Sequence, residues 1–327
     1  MDAFIFAANA VLPIILIVAA GYAAGRSGLI SDSVASALNR IVFKLLLPCM
    51  LFLNVYKIGS FSDIEPGYVI FSLAATLAIF IAAIPVVKLV AKDQRQRAAL
   101  TQAAFRSNYA LIGIPLATLL CGSDGAAVAT VLSAFSIPLF NVLAVVCLSS
   151  CTNGSNSKSI KGVLIGIAKN PLIDSIALGL LCLGARAIFV RHGISFRVSD
   201  ITPVYKALEM ISASATPLAL IALGAQFRLS AIPALKKQII FGTLTRIVIV
   251  PAVALSLAAA LGCFRGAHFA AFVAMFGTPV AVSSVPMAYE MGADGELAGQ
   301  LVVWTTLLSA FTIFASAVIL KSTGIFT

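Results

Sequence analysis

Two stretches decide the fold: Arg106-Ser107-Asn108-Tyr109-Ala110-Leu111-Ile112-Gly113-Ile114-Pro115-Leu116-Ala117, and Gly277-Thr278-Pro279 with the Ser283-Ser284-Val285-Pro286-Met287-Ala288 that follows. Gly113 to Ala117 can be laid on Ser284 to Ala288, with the prolines 115 and 286 standing 171 residues apart. Gly122-Ser123-Asp124-Gly125 then meets Gly292-Ala293-Asp294-Gly295 at an offset of 170. Ala37-Leu38 meets Ala207-Leu208 at 170, and Pro48 meets Pro217 at 169. Leu132-Ser133-Ala134-Phe135 recurs as Leu308-Ser309-Ala310-Phe311, at 176 and so out of strict register. Several identities at nearly one offset point to an internal repeat.

Composition sets the environment. The chain has 327 residues, 61% hydrophobic and 10% charged, with a mean hydropathy of +1.07. A soluble domain carries roughly 25% charged residues, so this chain lacks the polar groups to cover a water-facing surface. A soluble enzyme and intrinsic disorder are both excluded on that ground. The net charge of +10 comes from 22 cations scattered among apolar runs, and a scattered pattern argues against nucleic acid and for membrane orientation. The six cysteines, Cys49, Cys121, Cys147, Cys151, Cys182 and Cys263, form no CxxC pair. They read as small apolar core residues, with no disulfide framework and no metal site.

A helical span needs about 20 mainly apolar residues to cross about 30 Å of hydrocarbon. Ten stretches qualify, near residues 4–25, 35–56, 67–91, 98–121, 125–149, 163–185, 204–227, 238–262, 268–290 and 298–320. The first lacks a basic leader and a small-residue cleavage site, so it reads as a retained helix. With the N-terminus outside, the inner loops hold eleven cations (Arg26, Lys88, Lys92, Arg95, Arg97, Lys158, Lys161, Lys169, Arg228, Lys236, Lys237). The outer side holds seven (Lys57, Arg186, Arg191, Arg197, Lys206, Arg265, Lys321). That bias favours both termini outside. The polar run Ser149 to Lys161 is linker-like and central, giving a first half 1–150, a cytoplasmic linker 151–162 and a second half 163–327.

Five spans per half is an odd number, so the second half enters the membrane from the opposite side. The expected fold is therefore an all-α polytopic membrane protein with ten transmembrane helices in two inverted five-helix repeats, an arrangement found in secondary transporters. Proline removes a backbone donor, and glycine and serine lower the cost of unwinding. The fourth span carries Gly113 and Pro115, and the ninth carries Pro279 and Pro286, so helices 4 and 9 are expected to break and cross in mid-membrane. Unwound backbone at that depth must be buried in protein or line an aqueous cavity. Two breaks at equivalent positions thus point to a binding site, the competing reading being ordinary kinked helices.

In these residues the sequence resembles the auxin efflux carriers and their bacterial relatives, a group that includes malonate- and malate-type transporters. The matching features run in family order: Leu38-Asn39-Arg40 leading to Leu47-Pro48, Arg106 to Leu116, Asn170-Pro171-Leu172-Ile173, Ala215-Thr216-Pro217 through Ala222-Leu223-Gly224-Ala225, and Pro279-Val280-Ala281. The resemblance implies crossing broken helices 4 and 9 and a mobile transport domain of helices 3–5 and 8–10. It also implies a scaffold of helices 1, 2, 6 and 7 that forms a homodimer, and it gives Asn108 the place of the family's crossing asparagine. Val282-Ser283-Ser284 stands where many bacterial members carry an alanine-asparagine pair.

Arg106 lies about 13 Å inside its span, where a cation needs a partner or water. It either meets a carboxylate cargo in a bidentate pair or bonds carbonyls freed by the break. Arg246 faces the same choice, with an acid partner as its structural alternative. Ser107, Asn108, Thr278, Ser283 and Ser284 offer hydroxyl and amide groups at the crossing, where half-helix N-termini add partial positive charge. They suit a small organic anion, or else merely satisfy broken backbone. Tyr109 and Tyr289 bound a cavity or pack. Arg40 and Lys44 share one helix face near the inner surface and read as structural. Asp174, in the first turn after Asn170-Pro171, reads as part of a helix start. Asp124 and Asp294 sit in Asp-Gly turns.

The leading reading is a secondary transporter of a small organic anion in the cell membrane, working by elevator-type alternating access. Rivals are an anion channel and a sodium-coupled organic anion symporter of the bile acid group. An intramembrane enzyme is disfavoured, since HExxH and GxSxG are absent. No GxxxxGK[ST] loop is present either, so no nucleotide or other cofactor is expected, and the partners are the anion and membrane lipid.

Overall fold

A computed structural model describes residues 2–57, 65–152 and 170–322 of the chain. Among these residues the fold is all-helical with no strand. Helix α1 spans Asp2–Arg26, α2 Asp32–Tyr56, α3 Pro66–Val87 and α4 Gln94–Phe105. Helix α5 opens with the turn Tyr109–Gly113 and continues through Ile114–Thr152, interrupted at Cys121 and Gly122. Then come α6 (Pro171–Arg191), α7 (Thr202–Gln226), α8 (Leu229–Leu261), α9 (Gly266–Phe276), α10 (Ser284–Glu290) and α11 (Gly295–Ser322).

Seven of these helices, α2, α3, α5, α6, α7, α8 and α11, are long and apolar enough to cross a bilayer, and α1 and α9 contribute shorter apolar stretches. Their outward faces carry large apolar side chains such as Leu16, Ile81, Leu181, Val253 and Phe311. Such surfaces are stable only against lipid or another protein, which makes this a multi-pass membrane protein.

Local chemistry starts and bends the helices. Asn170 caps α6 by accepting the Leu172 N–H at 3.0 Å, with Pro171 at the first helical position. The sixth helix thus begins later than residue 163 and runs to Arg191; the expected linker falls mostly on residues 153–162, outside the described residues. Asp294 caps α11 by accepting the Leu297 N–H at 2.9 Å. Three turns widen to π geometry, Val42–Leu46, Tyr109–Gly113 and Thr245–Ile249. Each ends two residues before a proline, at 48, 115 and 251, where the missing donor loosens the ladder.

Packing falls into two groups. One is α1 against α7, with α2 against α6 and α7; the other joins α3, α4, α5, α8, α9, α10 and α11. The groups meet where α1 touches α11 and where α2 reaches α5 and α10. Helices α1 and α7 approach through small residues: a side chain at Gly21 or Gly25 would strike the backbone of Ile221 or Ala225, and one at Gly224 would strike the backbone of Val18. Without a hydrophobic drive between helices in lipid, such close approach is what gives dispersion its hold. The cysteines depart from the core reading, since Cys49, Cys121, Cys147 and Cys182 are half-buried and Cys263 is exposed.

Candidate functional site

Helix α4 ends at Phe105, after which Arg106 is extended, and α9 ends at Phe276, after which the chain bends at Gly277 and Thr278. Ser107 and Val280 form an antiparallel bridge. Asn108 N–H donates to the Pro279 carbonyl at 2.8 Å, and Ala281 N–H donates to the Arg106 carbonyl at 3.2 Å. Two interrupted helices therefore exchange backbone hydrogen bonds with each other at the point where each abandons its own ladder. Thr305 of α11 steadies the junction by accepting the Val280 N–H at 3.1 Å.

The interruption falls at residues 106–108, upstream of Gly113 and Pro115. Pro115 lies at the start of the helix that resumes and Pro286 in the first turn of α10, whereas Pro279 sits within the second interruption. Gly113 serves close approach instead of unwinding: a Cβ there would lie 2.9 Å from the Ala274 carbonyl oxygen.

Arg246 is fully buried and spends its guanidinium on backbone. It donates to Thr278 O at 2.9 Å, Ala104 O at 3.1 Å and Met275 O at 3.0 Å. The reason is legible residue by residue. The Met275 carbonyl would normally bond the N–H four residues on, which is Pro279 and has none. The Ala104 carbonyl would take Asn108 N–H, which has gone to Pro279 instead. One cation thus caps the C-terminal ends of both α4 and α9, where each helix dipole presents about half a negative charge. Its partners are carbonyls and not the acid the sequence allowed for.

Arg106 is also buried, at 3% exposure, yet it touches no backbone carbonyl. It donates to Asn141 Oδ1 at 2.7 Å, Ser283 Oγ at 2.9 Å and the Met287 sulfur. Asn141 is held by its own Nδ2 donating to Ile137 O at 2.8 Å, which turns its oxygen toward the guanidinium. All three partners are neutral, and among the described residues no carboxylate pairs with Arg106.

A cavity of about 80 Å³ opens on this side of the junction. Arg106, Ser107, Asn108 and Ser283 line it, together with Asn141 and, from the other helix group, Asn54 and Thr216. Two groups beside Arg106, Ser107 Oγ and Asn108 Nδ2, are buried without a hydrogen-bond partner among the described residues. Tyr109, Ala110 and Leu111 bring the first turn of α5 to the same wall, where the leading N–H groups of a helix have no intrahelical acceptor. Thr278 and Ser284 are close in sequence but do not line the cavity: Thr278 donates to Ala274 O at 2.9 Å, and Ser284 is buried with its hydroxyl unpaired. Tyr109 donates to Ala129 O at 3.0 Å, so its hydroxyl is already spent.

Sequence reading gives no site role to Asn141, Asn54, Thr216, Thr305 or Met287, although Thr216 and Met287 lie within stretches it quotes. Asn54 and Asn141, amides inside apolar spans, carry a signal in their residue type alone, since intramembrane polar groups are rare.

A bundle of membrane-crossing helices around a polar, buried junction defines a polytopic membrane protein with an internal polar site. The comparison with known proteins gives the particular family: residues 6–315 match the sequence profile described as "Membrane transport protein", and the chain belongs to that family, the auxin efflux carriers. It is similar to a protein described as "Uncharacterized transporter" from Methanothermobacter thermautotrophicus, 26% identical over 324 residues, covering 97% of this chain and 99% of that one.

Proposed function

We propose that the protein carries a small organic anion, a carboxylate such as malonate, malate or an auxin-like acid, across the cell membrane by alternating access. The observation that carries this reading is the pairing of an acid-free buried Arg106 with the unpartnered Ser107 Oγ and Asn108 Nδ2 in one cavity. A buried polar group without a partner costs about 1–3 kcal/mol, and a carboxylate would satisfy the donors together. It would accept from the guanidinium and the amide at once, with charge-assisted bonds roughly twice as strong as neutral ones. Arg246 is left out of the binding role, because carbonyls already hold all its nitrogens.

In the same reading the chain has ten spans in two inverted halves. The interruption at Cys121 and Gly122 separates the fourth from the fifth, and α9 with α10 makes the ninth. The group α1, α2, α6 and α7 acts as scaffold, and the remaining helices move against it as an elevator. The cavity's lining from both groups supports that division, since cargo between them would be exposed to alternate sides as they slide. Helix α6 has the least covered span, with Leu178, Leu180 and Leu181 exposed, which supports a homodimer through the scaffold. Both termini face outward, on the charge bias of the loops.

The test is a thermal-shift screen of the purified protein against malonate, malate and indole-3-acetate, followed by uptake into liposomes. Arg106→Ala and Asn108→Ala should abolish ligand stabilisation while the protein still folds. Normal transport by both variants would place the site elsewhere, and flux that never saturates would make the protein a channel.

A further inference from the structure

A second cavity, of about 230 Å³, lies away from the junction, where the end of α3 meets the start of α4 and the far end of α5. Its walls are of two kinds. Phe80, Ile84, Val87 and Val146 make one part apolar, and Lys88 and Arg97 bring two cations to the other. Two neighbouring cations on this side are engaged. Arg95 donates to the carbonyls of Gly292 and Ala293, and Arg228 pairs with Asp32 at 3.0 Å. By contrast, Arg97 uses only its Nε, on Ala91 O at 2.8 Å. Among the described residues its two terminal nitrogens have no other acceptor, and neither does Lys88 Nζ.

Depth adds a second constraint. Lys88 immediately follows α3, at the level where a span leaves the hydrocarbon, and the apolar lining lies deeper along the same helix. From the cavity an exposed apolar stripe, Ile84, Ile81 and Leu77, continues down α3 at helical spacing. A soluble anion would satisfy the cations but leave the apolar wall and stripe idle. An amphiphile with a phosphate above an acyl chain matches all three.

We propose that this cavity binds an anionic phospholipid of the adjacent leaflet, its phosphate on Lys88 and Arg97 and its upper chain on Phe80, Ile84 and Val146. Basic pockets between membrane helices take lipid headgroups by this combination of charge and chain contact. The site belongs to the group of helices assigned above to the moving part, and the lipid stands independently of what that part carries.

Native mass spectrometry of the full chain tests it, titrating palmitoyl-oleoyl phosphatidylglycerol, phosphatidylcholine with the same chains, and glycerol 3-phosphate. The wild type should retain one phosphatidylglycerol on the order of tenfold more tightly than phosphatidylcholine, and should not retain glycerol 3-phosphate. The double variant Lys88→Gln/Arg97→Gln should lose that preference, and Ile84→Trp, which keeps both cations, should weaken retention by crowding the chain. Lys236→Gln/Lys237→Gln, which removes two exposed cations outside the cavity, should change nothing. Should the double variant fail to fold, Lys88→Gln alone and Ile84→Trp decide, since both positions are exposed. Equal binding of the two lipids, an equal loss in the Lys236/Lys237 control, or tight retention of glycerol 3-phosphate would each overturn the proposal.

Discussion

Replacing Arg246 by methionine removes three hydrogen bonds and leaves the carbonyls of Ala104, Met275 and Thr278 buried without donors. Hydrogen bonds within membrane proteins average about 0.6 kcal/mol, so counting bonds alone gives a loss of about 2 kcal/mol. Counting orphaned carbonyls at about 1–3 kcal/mol each gives about 3–9 kcal/mol. Water cannot rescue these groups, because Arg246 and Thr278 are completely buried, so the second count governs and about 4–5 kcal/mol is expected. At roughly 2 °C per kcal/mol for a chain of this size, thermal unfolding in detergent should fall by on the order of 10 °C. Arg246→Lys keeps the charge but not the three-pronged geometry, and should fall in between. The assay is a detergent thermal melt of wild type and both variants, with Arg106→Gln alongside. A fall of less than about 2 °C for Arg246→Met would show that the carbonyls are satisfied without it, and its role as a shared cap of α4 and α9 would be wrong.

Other outcomes follow from the same contacts. Arg106→Gln should remove carboxylate-dependent stabilisation and saturable uptake while shifting the ligand-free melt by far less than Arg246→Met. Asn141→Leu frees Arg106 from its 2.7 Å partner and should raise the half-saturating substrate concentration on the order of tenfold, equivalent to about 1.4 kcal/mol; an unchanged value would remove Asn141 from the site. Gly21→Ala pushes a methyl into the Ile221 backbone and should cost about 1–3 kcal/mol, read as a lower melting temperature, with Gly184→Ala as a control facing open space with ordinary helical backbone. If the anion crosses alone, its uptake into liposomes should speed up when a potassium diffusion potential makes the lumen positive, and an unchanged rate would show that a co-transported cation balances its charge.

What the sequence reveals depends on how local the cause is. Asn170-Pro171 announces a helix start within four residues, and its cap forms as a side-chain hydrogen bond; Asp294, which reads in the sequence as an Asp-Gly turn, caps α11 in the same way. Pro279 announces an interruption because a missing donor is a property of one residue. The break at Arg106 to Asn108 is of another kind: nothing in that tripeptide forbids helix, and the chain unwinds there because Asn108 N–H finds Pro279 O across the junction. Gly113 and Pro115, the residues that look like breakers, instead allow close packing and widen a turn. The two buried arginines are indistinguishable by depth in the sequence, and only the partners, carbonyls for Arg246 and neutral side chains for Arg106, separate them. Asn141 stands 35 residues from the guanidinium it holds, a distance across which no local pattern operates.

The most direct measurement places a reporter at the junction itself. In a chain whose native cysteines are replaced by serine, Ser283→Cys is treated in intact membranes with a charged methanethiosulfonate, with and without saturating carboxylate. Modification at a measurable rate that slows in the presence of the carboxylate is the expected result, because Ser283 lines the cavity within 2.9 Å of Arg106. A thiol there that never reacts, or reacts at the same rate whatever anion is supplied, would contradict an aqueous binding site between the two broken helices.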